Sequence, residues 1–313
     1  MTIKHNIYLD GIMGVVVGDA LGVPVEFSSR GELKEDPVIG MRAYGTFNLP
    51  AGSWSDDSSM TLATLDSLKS GYDPKDMMDK FAAWMDDGVY TPFGELFDIG
   101  CATSRAITRY LHTGNIRNCG GKTDRDNGNG SLMRIMPICL YCYEEFKKGN
   151  ISKYDVIQMI HEVSGLTHNH MRSKIACGLY YFMAKAILEE KGNLKEKLQK
   201  GLDEGLDLYS EETDVIYYYR MKNLDMFKNT EEDGIRSSGY VVDSLEAAVW
   251  CLINTDTYEA AMLKAVNLGS DTDTVAAIAG GLAGLYYGYA GIPDEWLNVI
   301  KRIDWIEELC GVE

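Results

Sequence analysis

Two acidic clusters separated by over 200 residues, Ser55-Asp56-Asp57-Ser58 and Asp271-Thr272-Asp273-Thr274, constrain the fold of this chain more than any other feature. An Asp-Asp pair beside a hydroxyl is costly to bury, because unpaired carboxylates in a low-dielectric interior repel one another and must be protonated or neutralised. Yet each cluster adjoins an apolar run: Trp54 before and Met60 to Leu65 after the first, Val275 to Ala279 after the second. Ser, Thr and Asp are also preferred helix N-cap residues, so either cluster alone reads as a cap. Together, at the starts of two buried helices, they read as hard oxygen ligands for divalent cations. Two Mg²⁺ or Mn²⁺ ions would neutralise four such aspartates. If the clusters share metals, the N- and C-terminal thirds of the chain fold together.

Helical periodicity dominates, with segments near 7–20, 58–70, 74–87, 100–111, 132–147, 153–164, 169–191, 194–208, 241–253, 257–268, 274–289 and 295–308. No alternating strand pattern competes, although Tyr217-Tyr218-Tyr219-Arg220-Met221 has strand-like composition. Long connections, Gly22 to Asn48, Gly114 to Gly130 and Thr213 to Gly239, are candidates for binding. No Pro/Ser-rich linker divides the chain, so the expectation is one all-α domain over residues 1–313. Gly14 and Gly18, and Gly280, Gly281, Gly284 and Gly288, interrupt apolar helical patterns at about 1 kcal/mol each relative to Ala. Such small residues predict close helix packing around a buried site.

The 313 residues carry 30 Lys plus Arg against 47 Asp plus Glu, a formal net charge of −17, which opposes bulk attraction to nucleic acid or anionic membrane. No apolar run approaches the roughly 20 residues of a spanning helix. Seven scattered cysteines and an N-terminus, Met1 to Asn6, without a secretion pattern predict a reducing cytoplasm. Cys139 and Cys142 have metal-ligand spacing, but without a second pair and inside an apolar stretch they read as packing.

Three further segments carry chemistry. Gly11 to Phe27 ends an apolar helix with Asp19, read as a hydrogen-bonded buried carboxylate, and presents Glu26 beyond Pro24, free to act as ligand or proton acceptor. Gly128-Asn129-Gly130-Ser131, ahead of a helix, offers backbone N–H groups to an anion, a diphosphate being the obvious guest, although Asn-Gly pairs are also ordinary turns. Thr167-His168-Asn169-His170 supplies two of five histidines; His168 is read as a ligand contact rather than a metal ligand.

In this order, Gly18 to Glu26, Trp54 to Ser58, Gly128 to Arg134, Thr167-His168 and Asn267 to Thr274 resemble the motifs of the ADP-ribosylglycohydrolase family, over residues 11 to about 289. The resemblance implies an all-α fold with a binuclear Mg²⁺ or Mn²⁺ centre at the base of a cleft that holds ADP-ribose. It makes Ser55, Asp56, Asp57, Asp271, Asp273 and Thr274 the metal ligands, with Ser55 where the family often has Thr. It also places Gly128, Asn129, Gly130 and Ser131 at the diphosphate, His168 at ADP-ribose and Glu26 on a lid side of the metals.

The implied reaction is hydrolysis at C1″ of the distal ribose, in which Asp56, Asp57 and Glu26 serve catalysis and a metal-bound water attacks. Asp126 is a candidate partner for a guanidinium, favouring ADP-ribosylarginine over ADP-ribosylserine or O-acetyl-ADP-ribose. The expected partner is an ADP-ribosylated protein or a small ADP-ribose conjugate. A di-metal phosphohydrolase cutting the diphosphate and a non-catalytic ADP-ribose-binding protein are the alternatives; recovery of intact ADP-ribose distinguishes them.

Overall fold

In a computed structural model, which describes residues 6–312, the expected all-helical architecture is present and the described residues contain no β-strand, only isolated bridges such as Gly128 with Tyr240. Helices α1 (Ile7–Gly22), α2 (Arg30–Glu35), α3 (Asp56–Leu68), α4 (Pro74–Asp87) and α5 (Cys101–Thr113) come first. They are followed by α6 (Met136–Lys147), α7 (Lys153–Gly165), α8 (Met171–Glu189), α9 (Leu194–Leu208) and α10 (Leu224–Lys228). The chain ends with α11 (Val241–Ile253), α12 (Tyr258–Val266), α13 (Thr272–Tyr287), α14 (Asp294–Leu297) and α15 (Ile303–Leu309). Of Met1 to Asn6, read as lacking a secretion pattern, all but Asn6 lie outside the described residues.

The core is organised around α1 and α13, both buried along most of their length. A Cβ added to Gly14 would lie 2.2 Å from the Gly280 carbonyl oxygen, one on Gly18 2.3 Å from that of Ala276, and one on Gly284 2.1 Å from that of Asp10. The pairing 14 with 280, 18 with 276 and 10 with 284 runs antiparallel. Backbone therefore meets backbone, which no side chain larger than hydrogen permits. The crossing places the end of α1, with Asp19 and Glu26 beyond it, against the start of α13, with Asp271 and Asp273. That is how the distant acidic clusters meet.

Several boundaries differ from the sequence reading. Both acidic clusters form the first turns of their helices: α3 begins at Asp56, capped by the Ser55 side chain accepting from Asp57 N–H, and α13 at Thr272. The segment expected at 132–147 starts at Met136, with Leu132 to Arg134 in turns, Ile135 as the N-cap and Pro137 in the first helical turn, where a missing N–H costs least. The segment at 295–308 divides into α14 and α15, broken where Arg302 adopts φ 52°. Tyr217 to Met221 belongs to a 3₁₀ helix, Thr213–Met221, not a strand. Contrary to the apolar-run expectation, Ile7–Val25 is a 19-residue helical stretch apolar enough to cross a membrane, and 89% of its most apolar window is buried inside the protein. Its apolarity serves the core, since it is packed on all sides rather than along one stripe.

Candidate active site

The ends of α1, α3 and α13 converge on a cleft of about 340 Å³. Its floor holds Glu26, Asp56, Asp98, Asp271, Asp273 and Thr274, and its far wall Gly128, Asn129, Gly130 and His168. The volume falls in the range of small-ligand sites.

Asp19 sets the floor from below. It is fully buried and accepts from Ser55 N–H at 3.0 Å, Ser58 N–H at 2.9 Å and Ser58 Oγ at 2.5 Å. The α1 carboxylate thus fixes the first turn of α3, the structural role expected of it, and burial still raises its pKa to about 6 against those hydrogen bonds. Above it, Ser55 Oγ and Thr274 Oγ1 both approach Asp57 Oδ2, at 3.3 and 3.2 Å, joining the two clusters directly. Carboxylate oxygens of Glu26, Asp271 and Asp273 lie within 4.8 Å of one another. Asp56 Oδ2 accepts from Gly100 N–H at 3.2 Å, and Asp271 Oδ2 from Asn129 Nδ2 at 2.8 Å.

This arrangement is electrostatically incomplete. Glu26 Oε2, Asp57 Oδ1 and Asp273 Oδ1 are buried with no hydrogen-bond donor among the described residues. Burial, then the neighbouring Asp98, Asp271 and Asp56, push Glu26 up to about 9. Burial likewise raises Asp56, Asp57 and Asp273 well above the usual carboxylate range, assisted by mutual repulsion. Orphaned, mutually repelling carboxylate oxygens beside two hydroxyls fit a hard divalent cation, which removes desolvation and repulsion together.

At the opposite wall, Gly128, Asn129 and Gly130 line the cleft, and Asn129 N–H is held by the Gly239 carbonyl at 3.0 Å. His168 packs behind this loop: a Cβ on Gly130 would sit 2.9 Å from its Cε1. Arg134 NH2 donates to Thr167 Oγ1 at 2.8 Å, and that oxygen is 2.9 Å from His168 Nδ1. Where the Thr167 hydroxyl donates to Nδ1, the ring proton sits on Nε2. Burial, reinforced by Arg134, lowers the His168 pKa to about 3, so the ring is neutral at physiological pH. His170, by contrast, caps α8 by accepting from Arg172 N–H.

Two of the expected substrate residues lie elsewhere. Ser131 is fully buried, its Oγ accepting from Ser164 Oγ at 3.0 Å, and does not line the cleft. The Asp126 carboxylate is taken up by Thr123, whose N–H and hydroxyl donate at 2.9 and 2.6 Å, with Arg105 3.9 Å away. Conversely, Asp98 and Gly100, which precede α5, line the cleft without having been singled out. Their only sequence signal, one Asp and one Gly in a loop, is too common to read. Cys139 and Cys142 are buried, unpaired thiols within α6.

An all-helical chain with a carboxylate floor fit for cations and a glycine-rich wall defines a class, that of hydrolases built around buried carboxylate centres. Residues 2–312 match the family model for ADP-ribosylglycohydrolase. The ADP-ribosylarginine hydrolase Tri1 of Serratia proteamaculans (strain 568) is 31% identical over 302 residues, covering 96% of this chain and 76% of its own. The ADP-ribosyl-[dinitrogen reductase] glycohydrolase of Rhodospirillum rubrum is 30% identical over 322 residues, covering 99% and 98%. A solved ADP-ribosylglycohydrolase-related protein complex superposes with a TM-score of 0.79 at 31% identity, covering 97% of this chain and 95% of its counterpart. The chain belongs to the ADP-ribosylglycohydrolase family, and it is a glycohydrolase of ADP-ribosylated substrates.

Proposed function

We propose that this enzyme cleaves the bond between C1″ of the distal ribose and a modified arginine, releasing intact ADP-ribose in the cytoplasm, with two divalent cations, Mg²⁺ or Mn²⁺, as resident cofactors. The carrying observation is a single cleft with orphaned oxygens of Glu26 and Asp273 at its floor, that of Asp57 buried behind Thr274, and the Gly128–Gly130 backbone with His168 at its wall. Ser55, Asp57 and Thr274 form one donor group, and Glu26, Asp271 and Asp273 a second, with Asp56 on the cleft side. When bound, the cations supply Lewis acidity and lower the pKa of a coordinated water.

The protein's own groups orient the reaction. Asp56, steadied by Gly100 N–H, faces the cleft, where it is placed to accept a proton from the attacking water. The absence of side chains at Gly128 and Gly130 lets the diphosphate approach the loop backbone, and His168 Nε2–H donates toward the same anion. Arginine as the leaving group is supported by the names of relatives at 31 and 33% identity and by Asp98, a half-buried carboxylate that lines the cleft, since carboxylates pair with guanidinium groups. Asp98 takes the place that sequence reading gave to Asp126.

The test is chromatographic detection of ADP-ribose released from matched arginine-linked and serine-linked substrates, with Mg²⁺ or Mn²⁺, with chelator, and with Asp56→Asn. Metal-dependent release from the arginine linkage, lost in the variant, is the expected outcome. Preferential release from serine overturns the linkage, and AMP as product overturns the glycosidic reading.

A further inference from the structure

Three phenylalanines outside the core meet beside the cleft, two of them on backbone that carries its carboxylates. Phe27 follows Glu26, Phe97 precedes Asp98, and Phe47 lies between them, its ring centroid 6.4 Å from that of Phe27 and 5.2 Å from that of Phe97. Phe27 is 69% exposed, and its φ of 65° lies in the left-handed region, where a bulky side chain is strained. The strain is held in place rather than relaxed. Phe27 N–H donates to the Ser270 carbonyl at 2.8 Å, and Ser270, at φ 66°, donates to the Ser28 carbonyl at 2.8 Å. The loop bearing Phe47 is docked on the same segment: Thr46 N–H donates to the Pro24 carbonyl at 3.0 Å and its hydroxyl to the Glu26 carbonyl at 2.7 Å. Backbone strain is thus spent keeping an aromatic ring in water at the mouth of the cleft.

The direction of the ligand says what meets that ring. With the diphosphate at the Gly128–Gly130 wall and the distal ribose over the carboxylate floor, the leaving group exits past Glu26 and Asp98, beside Phe27 and Phe97. We propose that the Phe27–Phe47–Phe97 rim docks the polypeptide flanking the modified arginine; this rests on the arginine-linkage reading above. Aromatic faces suit such an occupant because they contact aliphatic stems, peptide planes and cationic side chains alike. Charge agrees, since Glu95 and Asp98 flank the rim in a chain of net charge −17, which favours the basic segments in which arginines occur.

The experiment compares wild type, Phe47→Ala and Phe47→Tyr on two substrates, a peptide carrying one internal ADP-ribosylarginine and free ADP-ribosylarginine. Phe47 supports the rim without bordering a site carboxylate in sequence. Phe47→Ala is expected to lower kcat/KM on the peptide about tenfold, mainly through KM, as truncation of an interface aromatic does, with less than a twofold change on the free amino-acid conjugate and recovery in Phe47→Tyr. Parallel losses on both substrates would reduce the rim to a prop for Glu26, and no loss on either would remove it from recognition. A changed oligomeric state in sedimentation, without peptide discrimination, would assign the rim to a second copy of the chain. Equilibrium binding of the same two ligands repeats the comparison without turnover. Failure of the arginine reading, seen as no release by wild type, therefore stays distinguishable from failure of the rim.

Discussion

Removing the cations should make this protein less stable as pH rises, and the carboxylate floor says by how much. The Glu26 carboxyl titrates near 4.5 in an unfolded chain and at about 9 in the folded, metal-free site, raised by burial and by Asp98, Asp271 and Asp56. Between those values the folded state holds a proton that the unfolded state has lost. Its stabilisation is complete below pH 4.5 and is withdrawn as pH climbs toward 9. The slope is about 1.4 kcal/mol per pH unit for each such proton, or about 2.7 kcal/mol between pH 6 and pH 8 from Glu26 alone. Asp56, Asp57 and Asp273 shift in the same direction, adding to the slope. A divalent cation at one hundred times its Kd returns about 2.7 kcal/mol, and returns it most fully at high pH, where the ligands lose their protons cheaply. For a domain of this size, 1 kcal/mol moves Tm by roughly 2 °C. Thermal melts at pH 6 and pH 8 in chelator should therefore differ by roughly 5 °C, with the higher pH less stable. Mg²⁺ or Mn²⁺ should close most of that gap. Asp273→Asn should melt higher than wild type in chelator and respond less to metal. A metal-free Tm that rises with pH, or melts indifferent to metal, would refute the argument that repulsion among these carboxylates is what the cations relieve.

Three further outcomes follow from single positions. Gly280→Ala drives a methyl to 2.2 Å from the Gly14 carbonyl oxygen, so chemical denaturation should show a loss of about 3 kcal/mol or more as α1 and α13 are forced apart. Asp98→Asn should lower kcat/KM on an arginine-linked substrate by about tenfold or more while leaving the affinity for free ADP-ribose, read by calorimetry, within twofold. Arg134→Met should weaken ADP-ribose binding about tenfold at little cost in Tm, because exchanging a buried unpaired charge for an apolar side chain is often neutral.

How much of this was legible in the sequence depended on whether the signal was local. The long helices and their close packing at glycines could be read because apolar spacing and small residues act on neighbours along the chain, whereas the short α2 and α10 lie inside stretches read as connections. The meeting of Asp57 with Thr274 could be inferred because buried aspartates need a shared remedy. Boundaries failed where one residue overrode a pattern: Pro137 delayed α6, and Arg302 at positive φ split the last predicted helix. Asp126 and Asp98 show the other limit. Asp126 is drawn to Thr123 by a local capping box at a 3₁₀ turn, Asp124–Asp126, whereas only the tertiary fold turns the loop residue Asp98 into the cleft. Ser131 failed for the same reason, since a loop that presents its backbone to an anion still has to turn a side chain into the core.

For a cleft so rich in carboxylates to receive a diphosphate, as proposed, a nearby positive charge is needed, and Arg134 offers one. Its guanidinium is fully buried, lies 4.7 Å over the Phe81 ring, and has two nitrogens, Nε and NH1, without a hydrogen-bond acceptor among the described residues. No ion pair joins it to a carboxylate there, and burial lowers its pKa to about 10, so it stays charged at neutral pH. A buried cation left uncompensated is costly, which makes a structural role alone a poor account of it. Its one polar side-chain contact leads through Thr167 to His168, at the wall where the anion is expected. Unit charges roughly 10 Å apart at an effective dielectric near 20 attract by about 1.7 kcal/mol, enough to bias one end of a ligand without contact. The cleft is thereby polarised, anionic floor against cationic wall. On the proposed reading, a molecule with an anionic middle and a cationic leaving group is favoured in one direction, the one that puts C1″ over the carboxylates.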